Sequence, residues 1–160
     1  MIQKIKKNVL FRLTVPVVLG IILGLLVSHF VFSVARVSGD SMKSTYYDGD
    51  IVFVNRLAEP DRGDVVVVNR EDEGKYIIKR VIGLPGDSIV IDGGRVFVNG
   101  EYYPENYLFL DNYEYDSGLA ASTITLGSDE YFVLGDNRPV SEDSRKIGPV
   151  NKKDIIGVVF

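Results

Sequence analysis

The sequence contains no cysteine, and only one of its 160 residues is a histidine, His29. The absence of cysteine excludes a disulfide framework, a thiol nucleophile and a thiolate metal site. A metal site with two histidine ligands is excluded within one chain. His29 falls inside a long apolar run, so the rest of the chain cannot supply the histidine of a Ser-His-Asp triad. A nucleophilic serine there would need another base, and a neutral lysine can fill that role.

Negative charge is concentrated outside the N-terminal part of the chain. The net charge is −4, yet residues 1–35 contain four basic side chains and no acidic one. The basic residues are Lys4, Lys6, Lys7 and Arg12. Residues 36–160 therefore carry a net charge of −8. A surface that binds nucleic acid needs clustered lysine and arginine, so we expect no nucleic-acid partner.

One apolar run of 23 residues without a formal charge extends from Leu13 to Ala35. As a helix it would be about 35 Å long, against a membrane hydrocarbon core of about 30 Å. All charges before it are basic, so the positive-inside rule places the N-terminus in the cytoplasm. The sequence therefore predicts a cytoplasmic tail (1–12), a transmembrane anchor in the cell membrane (13–35) and an extracytoplasmic domain (36–160). The lipid bilayer is accordingly an expected partner.

A cleaved secretory signal is the main alternative to this anchor. The basic start, the apolar stretch and the triplet Ser33-Val34-Ala35 together resemble a signal with a small-x-small cleavage site. The apolar region of such a signal usually has about 7–15 residues, and this run is longer. We therefore favour a retained anchor.

Short runs rich in β-branched residues follow the anchor, most of them separated by Gly, Asp, Asn or Pro. The predicted strands are Asp50–Asn55, Asp64–Asn69, Lys75–Ile82, Ser88–Ile91, Arg95–Val98, Tyr131–Leu134 and Ile155–Phe160. Asn106–Ser122 has no clear periodicity and is interpreted as a loop or an irregular insertion. The chain has room for one ordinary domain. The pattern predicts a mostly β domain, an antiparallel barrel or sandwich.

Three polar segments could carry chemistry, and each also has an ordinary structural interpretation. Ser38–Thr45 could expose a serine in a glycine-containing bend, or it could be a polar linker. In Ile77–Asp87, Lys79 would have a depressed pKa if its strand face is buried, or it could be an exposed lysine on an edge strand. Gly135–Gly148 combines acids, arginines and serines, and could support a site or form a solvated turn with weak ion pairs.

No segment has the spacing of a metal site. Asp111, Glu114 and Asp116 lie close together, but the EF-hand spacing and its glycine are missing. We therefore predict no metal and no cofactor. The triplet Asp116-Ser117-Gly118 matches that of aspartic proteases, but it occurs once, and that chemistry needs two carboxylates.

At the three polar segments the sequence resembles the type I signal peptidases, membrane-anchored Ser-Lys proteases that remove signal peptides from exported proteins. The family motif G-x-S-M-x-P-T-L is similar to Gly39–Tyr46 (GDSMKSTY). The motifs R-G-D-[IV]-V and K-R-[VI]-x-G-L-P-G-D match Arg62–Val66 and Lys79–Asp87. The last motif, G-D-N-R-x-x-S-x-D-S-R-x-x-G, is complete from Gly135 to Gly148. The short chain with one anchor resembles the Gram-positive members.

This resemblance implies roles for individual residues. Ser41 corresponds to the nucleophile, Lys79 to the general base, and Ser141 to the hydroxyl that orients the lysine. An ion-pair scaffold behind the site corresponds to Arg80, Asp136, Asp143 and Arg145. The Ser41 backbone N–H would be one oxyanion donor. For the second donor, some relatives carry a serine where this chain has Gly39, which leaves Ser38 as a candidate.

Two residues depart from the nucleophile motif: Ser44 stands where the family has proline, and Tyr46 where it has leucine. The resemblance implies an endopeptidase that cleaves exported preproteins after small residues at the first and third positions before the cut. The departures leave room for a peptidase dedicated to pilus subunits. A further alternative is a catalytically idle homologue that binds pilins or signal peptides as an assembly factor.

Overall fold

The computed structural model describes residues 2–108 and 116–160, without the side chains of residues 2–12 and 29. Helix α1 spans Ile2–Val31, and a short helix, α2, spans Ser144–Ile147. The described strands, in chain order, are β1 (Phe32–Arg36), β2 (Ile51–Asn55), β3 (Val65–Arg70), β4 (Lys75–Gly83), β5 (Ser88–Asp92), β6 (Arg95–Val98), β7 (Glu101–Tyr102), β8 (Ile124–Thr125), β9 (Glu130–Leu134), β10 (Val150–Asn151) and β11 (Ile155–Val159).

All seven predicted strands are confirmed, as β2 to β6, β9 and β11. Their β-branched side chains suit a pleated surface that is buried on at least one face. Strand β3 is buried on both faces: Val65 and Val67 pack into one apolar cluster, while Val66 and Val68 pack into another. β3 is therefore central, and so is its antiparallel partner β4.

The strands form two antiparallel sheets. The larger has the order β1-β2-β11-β3-β4-β9-β10, and the smaller has the order β7-β6-β5-β8. The prediction of a mostly β, antiparallel domain is confirmed. Of its two forms, barrel or sandwich, the barrel is wrong for the described residues, because β1 and β10 remain at opposite edges of the larger sheet. The smaller sheet joins the larger through an apolar cluster that includes Ile89 and Ile91 from β5 and Phe132 and Leu134 from β9.

The apolar run predicted as one segment from Leu13 to Ala35 is divided between two elements. Helix α1 ends at Val31, and residues 32–36 pair with β2 along all five positions of β1. The carbonyl of Val31 accepts a hydrogen bond from the Arg56 backbone N–H at 2.8 Å, which fixes the point where the helix ends. The end of the apolar run, which hydropathy alone assigns to the helix, therefore forms an edge strand instead.

Within the described part of the chain, no helix combines the length and the apolar character needed to cross a membrane. Residues 109–115, which include Asp111 and Glu114, lie outside the described residues, as does the side chain of His29. The described remainder of the predicted irregular segment contains a 3₁₀ helix at Gly118–Ala121, and the short strand β8 follows the segment.

Candidate active site

Ser41 lies in a tight turn that follows β1 and is anchored in the core. The turn is closed by backbone hydrogen bonds from Thr45 and Tyr46 to the carbonyl of Met42, at 3.0 and 2.9 Å. Met42 is only 1% exposed and packs among the valines of the larger sheet. The segment is therefore a fixed turn, and its interpretation as a plain polar linker is wrong.

Lys79 lies in the middle of β4 and is 3% exposed, so the alternative of an exposed lysine on an edge strand is wrong. Its cross-strand partner on β3 is the fully buried Val66. Its Nζ lies 2.8 Å from Ser41 Oγ and donates to the Ile78 carbonyl at 2.9 Å. A serine hydroxyl and a buried amine are thus in direct hydrogen-bond contact.

Burial lowers the pKa of Lys79 to about 8, because removal from water disfavours the ammonium form. The carboxylates of Asp143, Glu142 and Asp136 act in the opposite direction, while the charge of Lys75 lowers the pKa further. Burial outweighs these charges. The amine is therefore neutral in a substantial fraction of molecules near pH 8, and a neutral amine can accept a proton from the serine.

Ser41 and Lys79 both face a cleft of about 400 Å³. One wall is formed by Ala35–Ser38, where the chain leaves β1, and another by Ile77 and Ile78 of β4. Lys75 and Glu142, whose charged groups lie 3.2 Å apart, also line the cleft. The cleft therefore has both apolar and polar walls, a combination typical of ligand-binding sites.

Ser141 is 1% exposed and lies against Gly135. A β-carbon at Gly135 would overlap Ser141 Oγ and would lie 2.6 Å from the Ser41 carbonyl oxygen. Only glycine fits between these two serines. Among the described residues, Lys79 Nζ bonds to Ser41 and Ile78, and the bond from Ser141 that the resemblance implies is not formed.

Two buried ion pairs are formed from the four scaffold residues. Arg80 binds Asp136 in a fork, with Nε and Nη2 at 2.8 and 2.6 Å from the two carboxylate oxygens. Arg145 binds Asp143 in the same way, with both contacts at 2.8 Å. Bidentate pairs of this kind are the geometrically specific form of an arginine–carboxylate contact. The alternative of a solvated turn with weak surface pairs is therefore wrong.

The Asp143–Arg145 pair connects the scaffold to Gly135. Asp143 accepts the Gly135 N–H at 3.0 Å and also caps α2 by accepting the Arg145 N–H at 3.3 Å. Burial alone would raise the pKa of Asp143, but the hydrogen bond and charge of Arg145 outweigh it and hold the pKa below its usual range. Asp143 is thus a buried carboxylate that stays ionised.

The geometry distinguishes between the candidate oxyanion donors. The Gly39 N–H is donated to Asp48 Oδ1 at 2.8 Å, so this group is already engaged. Gly39 has a φ of 82°, a conformation that glycine adopts without strain. Ser38 and Ser41 line the cleft, and they remain the candidates for supplying oxyanion donors.

Ser44 adopts a φ of 110°, in the region that residues other than glycine rarely occupy. Its Oγ donates to the Tyr107 carbonyl at 3.3 Å. Proline has φ near −65° and cannot adopt this conformation. The departure from the family motif at this position therefore has a conformational counterpart. The second departure, Tyr46, is half-buried against the same valine cluster as Met42.

Several residues around the turn were missed by sequence reasoning. Asn137 holds the turn from outside, because its backbone N–H donates to the Ser41 carbonyl and its Nδ2 to the Asp40 carbonyl, both at 3.0 Å. Thr45 Oγ1 donates to Asp136 Oδ2 at 2.5 Å. Asn137 and Thr45 lie inside recognised motifs, so a signal existed for them.

Comparison with known proteins gives a consistent result. The family model described as "Signal peptidase, peptidase S26" matches residues 10–160. Signal peptidase I P of Bacillus subtilis subsp. natto is 39% identical, over 98% of this chain and 90% of the relative. Signal peptidase I S of Bacillus subtilis strain 168 is 36% identical, over 95% of this chain and 88% of the relative.

A solved structure agrees with these sequence comparisons. The crystal structure of a signal peptidase I from Enterococcus faecalis V583 superposes with a TM-score of 0.56 at 30% sequence identity. The match covers 65% of this chain and 99% of the other. Family model, full-length relatives and fold agree with the motifs that surround Ser41 and Lys79. The chain belongs to the signal peptidase I family of serine peptidases, peptidase S26.

Proposed function

We propose that this protein is a membrane-anchored serine endopeptidase that removes signal peptides from exported preproteins by means of a Ser41–Lys79 dyad. The observation that carries the proposal is the 2.8 Å contact between Lys79 Nζ and Ser41 Oγ at the wall of a cleft. A serine without a histidine partner needs such a base. The membership of the signal peptidase I family supports the substrate class.

The reaction begins with the neutral form of Lys79. As Ser41 Oγ attacks the scissile carbonyl carbon, its proton passes to Lys79 Nζ, and the ammonium then protonates the departing amine. The resulting acyl-enzyme is an ester on Ser41. Lys79, neutral again, takes a proton from water as the water attacks the ester, and Ser41 recovers its hydroxyl proton from the lysine.

Other residues are proposed to support this step. Ser41 N–H donates to the developing oxyanion, and Ser38 is the candidate for the second donor because its neighbour Gly39 already bonds to Asp48. Ser141 is proposed to orient Lys79 in the substrate complex. Catalytic hydrogen bonds often tighten only when substrate is bound, so their absence from the free enzyme does not oppose this role.

The membrane anchor is proposed from the N-terminal helix and its surroundings. Most of the described side chains of α1 are apolar and exposed, with Leu13 and Phe30 at 64% and 70%. Phe53 and Phe160 of the adjacent sheet are also exposed. Apolar surface of this extent is unfavourable in water and favourable in a bilayer. The basic residues before the helix support a cytoplasmic N-terminus and an extracytoplasmic catalytic domain.

The pilus-dedicated peptidase and the idle assembly factor are not favoured. The relatives reported above are named signal peptidase I. An idle homologue would have no need for a buried lysine with a lowered pKa beside a serine, because that arrangement costs stability.

The test is cleavage of a labelled preprotein by the full chain in detergent, compared with Ser41→Ala and Lys79→Ala. Each change is expected to lower turnover on the order of a thousandfold or more, and the double variant should be hardly slower than either single one. Ser128→Ala and Lys153→Ala are matched controls, because both residues are exposed and neither lines the cleft. Near-normal turnover of Lys79→Ala would show that another group is the base.

A further inference from the structure

A short segment of the chain contacts the surroundings of Ser41 and Lys79 at three places. Residues 103–108 follow β7 and are named the strap. The strap carries none of the recognised motifs, and its second half belongs to the irregular segment that begins at Asn106. Two of its side chains, Glu105 and Tyr107, are largely buried. The three contacts involve the nucleophile turn, the residue next to Lys79, and the loop that contains Ser141.

The first contact is between Tyr107 and Arg80. The guanidinium carbon of Arg80 lies 4.1 Å from the centroid of the Tyr107 ring, a distance at which a cation is attracted to the ring face. The same guanidinium makes the fork with Asp136 and donates to the Gly63 carbonyl at 2.7 Å. The ring therefore covers one face of an arginine whose edge is held by hydrogen bonds.

The second contact joins the strap to the nucleophile turn. Ser44 Oγ donates to the Tyr107 carbonyl, and Thr45 Oγ1 lies 3.1 Å from Arg80 Nη2 and 2.5 Å from Asp136 Oδ2. Ser44 and Thr45 follow Ser41 by three and four residues in the same turn. Tyr107 thus touches the turn directly through its backbone and indirectly through the Arg80–Asp136 pair.

The third contact joins the strap to the loop that contains Ser141. Glu105 pairs with the fully buried Arg138, and the Tyr107 hydroxyl donates to Glu105 at 2.6 Å. Arg138 also donates from Nε to the Gly135 carbonyl at 3.0 Å. Gly135 is the residue that separates Ser41 from Ser141. The strap is therefore linked, through Arg138, to the backbone that separates the two serines.

From these contacts we infer that Tyr107 is a positioning residue: its ring holds the Arg80–Asp136 pair against Thr45 and thereby keeps Ser41 Oγ within reach of Lys79 Nζ. The inference rests on the proposed dyad. Tyr107 touches neither the nucleophile nor the base, so it acts through Arg80 and the turn. Displacement of a reacting group by about 1 Å can cost about a hundredfold in rate, which makes such support measurable.

Loss of the ring should also change the pH dependence. Arg80 neutralises Asp136, and the Asp136 carboxylate raises the pKa of Lys79. If Arg80 moves away, the uncompensated carboxylate stabilises the ammonium form of Lys79. The acid limb of kcat/KM should therefore move to higher pH. A ring that only contributes to packing would lower the melting temperature and leave this limb unchanged.

The experiment compares preprotein cleavage by Tyr107→Leu, Tyr107→Met and Tyr107→Phe in the full chain. Leucine and methionine remove the ring and should lower kcat by about tenfold or more with little change in KM, and move the acid limb upward. Phenylalanine keeps the ring and should restore most of the loss. Tyr102→Leu is the matched control, because Tyr102 is 53% exposed and packs on Phe97 away from the turn.

Ser41→Ala in the same assay separates this inference from the proposed function. If Ser41→Ala is still active, the dyad is wrong, whatever Tyr107 does. If Ser41→Ala is inactive while a folded Tyr107→Leu or Tyr107→Met keeps the wild-type kcat and acid limb, the positioning role alone is wrong. If neither ring-free variant folds, or if phenylalanine gives no rescue, the ring has no separable positioning role and the inference is rejected.

Discussion

Lys79 is the residue at which function and stability conflict most directly. An ammonium group would be strongly solvated in the unfolded chain, but the folded protein holds this side chain at 3% exposure with a pKa of about 8. The lowering from 10.5 corresponds to about 3 kcal/mol, at about 1.36 kcal/mol per pKa unit. The free energy of unfolding is lower by that amount at any pH where Lys79 is protonated in both the unfolded and the folded chain.

The pH dependence of this cost has a definite sign. Between pH 8 and 10.5 the unfolded chain binds the Lys79 proton and the folded chain does not, so stability rises with pH in that window. Below pH 8 both states are protonated and the full cost remains. We therefore expect Lys79→Met to be more stable than wild type by up to about 3 kcal/mol at pH 7.

Denaturant unfolding of Lys79→Met and wild type at pH 7 and pH 10 measures this difference. The advantage of the variant should shrink as pH rises, and its peptidase activity should be absent. A constant difference across this range would mean that the pKa of Lys79 is the same in the folded and unfolded states, so that burial does not lower it.

At the scale of single elements, the loop between β9 and α2 combines two kinds of residue with different expected phenotypes. Asp143 holds Arg145 and the Gly135 N–H, and all three groups are buried. Asp143→Ala would leave the Arg145 charge without its partner, at a cost of about 3–5 kcal/mol. We expect a clear fall in melting temperature together with a loss of activity.

Ser141→Ala removes a small neutral group, and we expect about 1 kcal/mol or less of destabilisation. If Ser141 orients Lys79 in the substrate complex, turnover should still fall strongly. Thermal melts and preprotein cleavage on both variants separate the two effects. A Ser141→Ala protein with full activity would reduce Ser141 to a packing residue beside Gly135.

The longer strands could be predicted from their β-branched side chains, whereas the shortest strands and β1 could not. Val65–Arg70 and Lys75–Gly83 have enough β-branched residues to be recognised from sequence. β7, β8 and β10 have two residues each, too short for any periodicity. β1 was absorbed into the apolar run, because hydropathy does not distinguish the end of a helix from a strand.

The site was predictable to the extent that motifs name its residues. Ser41, Lys79 and the two ion pairs could be named in advance, but their contacts depend on strands far apart in sequence. Glu105 and Tyr107 could not be found, because they stand in a segment without pattern, and their role exists only through Arg80 and Arg138. It was also not predictable that the larger sheet stays open, because closure into a barrel depends on whether the two edge strands pair.

At the scale of the whole molecule, the proposed topology predicts a simple digestion pattern. Protease added to intact spheroplasts should degrade or release the domain after Arg36 and leave a short N-terminal fragment protected by the membrane. Solubilising the membrane with detergent is the control, because it should abolish the protection. A soluble mature chain that begins at Arg36 would instead show cleavage after the Ser33-Val34-Ala35 triplet.

The junction between helix and sheet has a consequence for how the enzyme samples its substrates. Val31 ends α1, Phe32 begins β1, and the Arg56 N–H binds the Val31 carbonyl, so no free residue separates the two elements. A flexible tether would let a catalytic domain explore a volume that grows with the length of the tether. Without a tether, the cleft stays at a fixed distance from the end of α1. On the proposed topology, the position of a peptide bond then helps to decide whether it is cleaved. A bond is cut only if its distance from the bilayer matches the distance of the cleft from the bilayer.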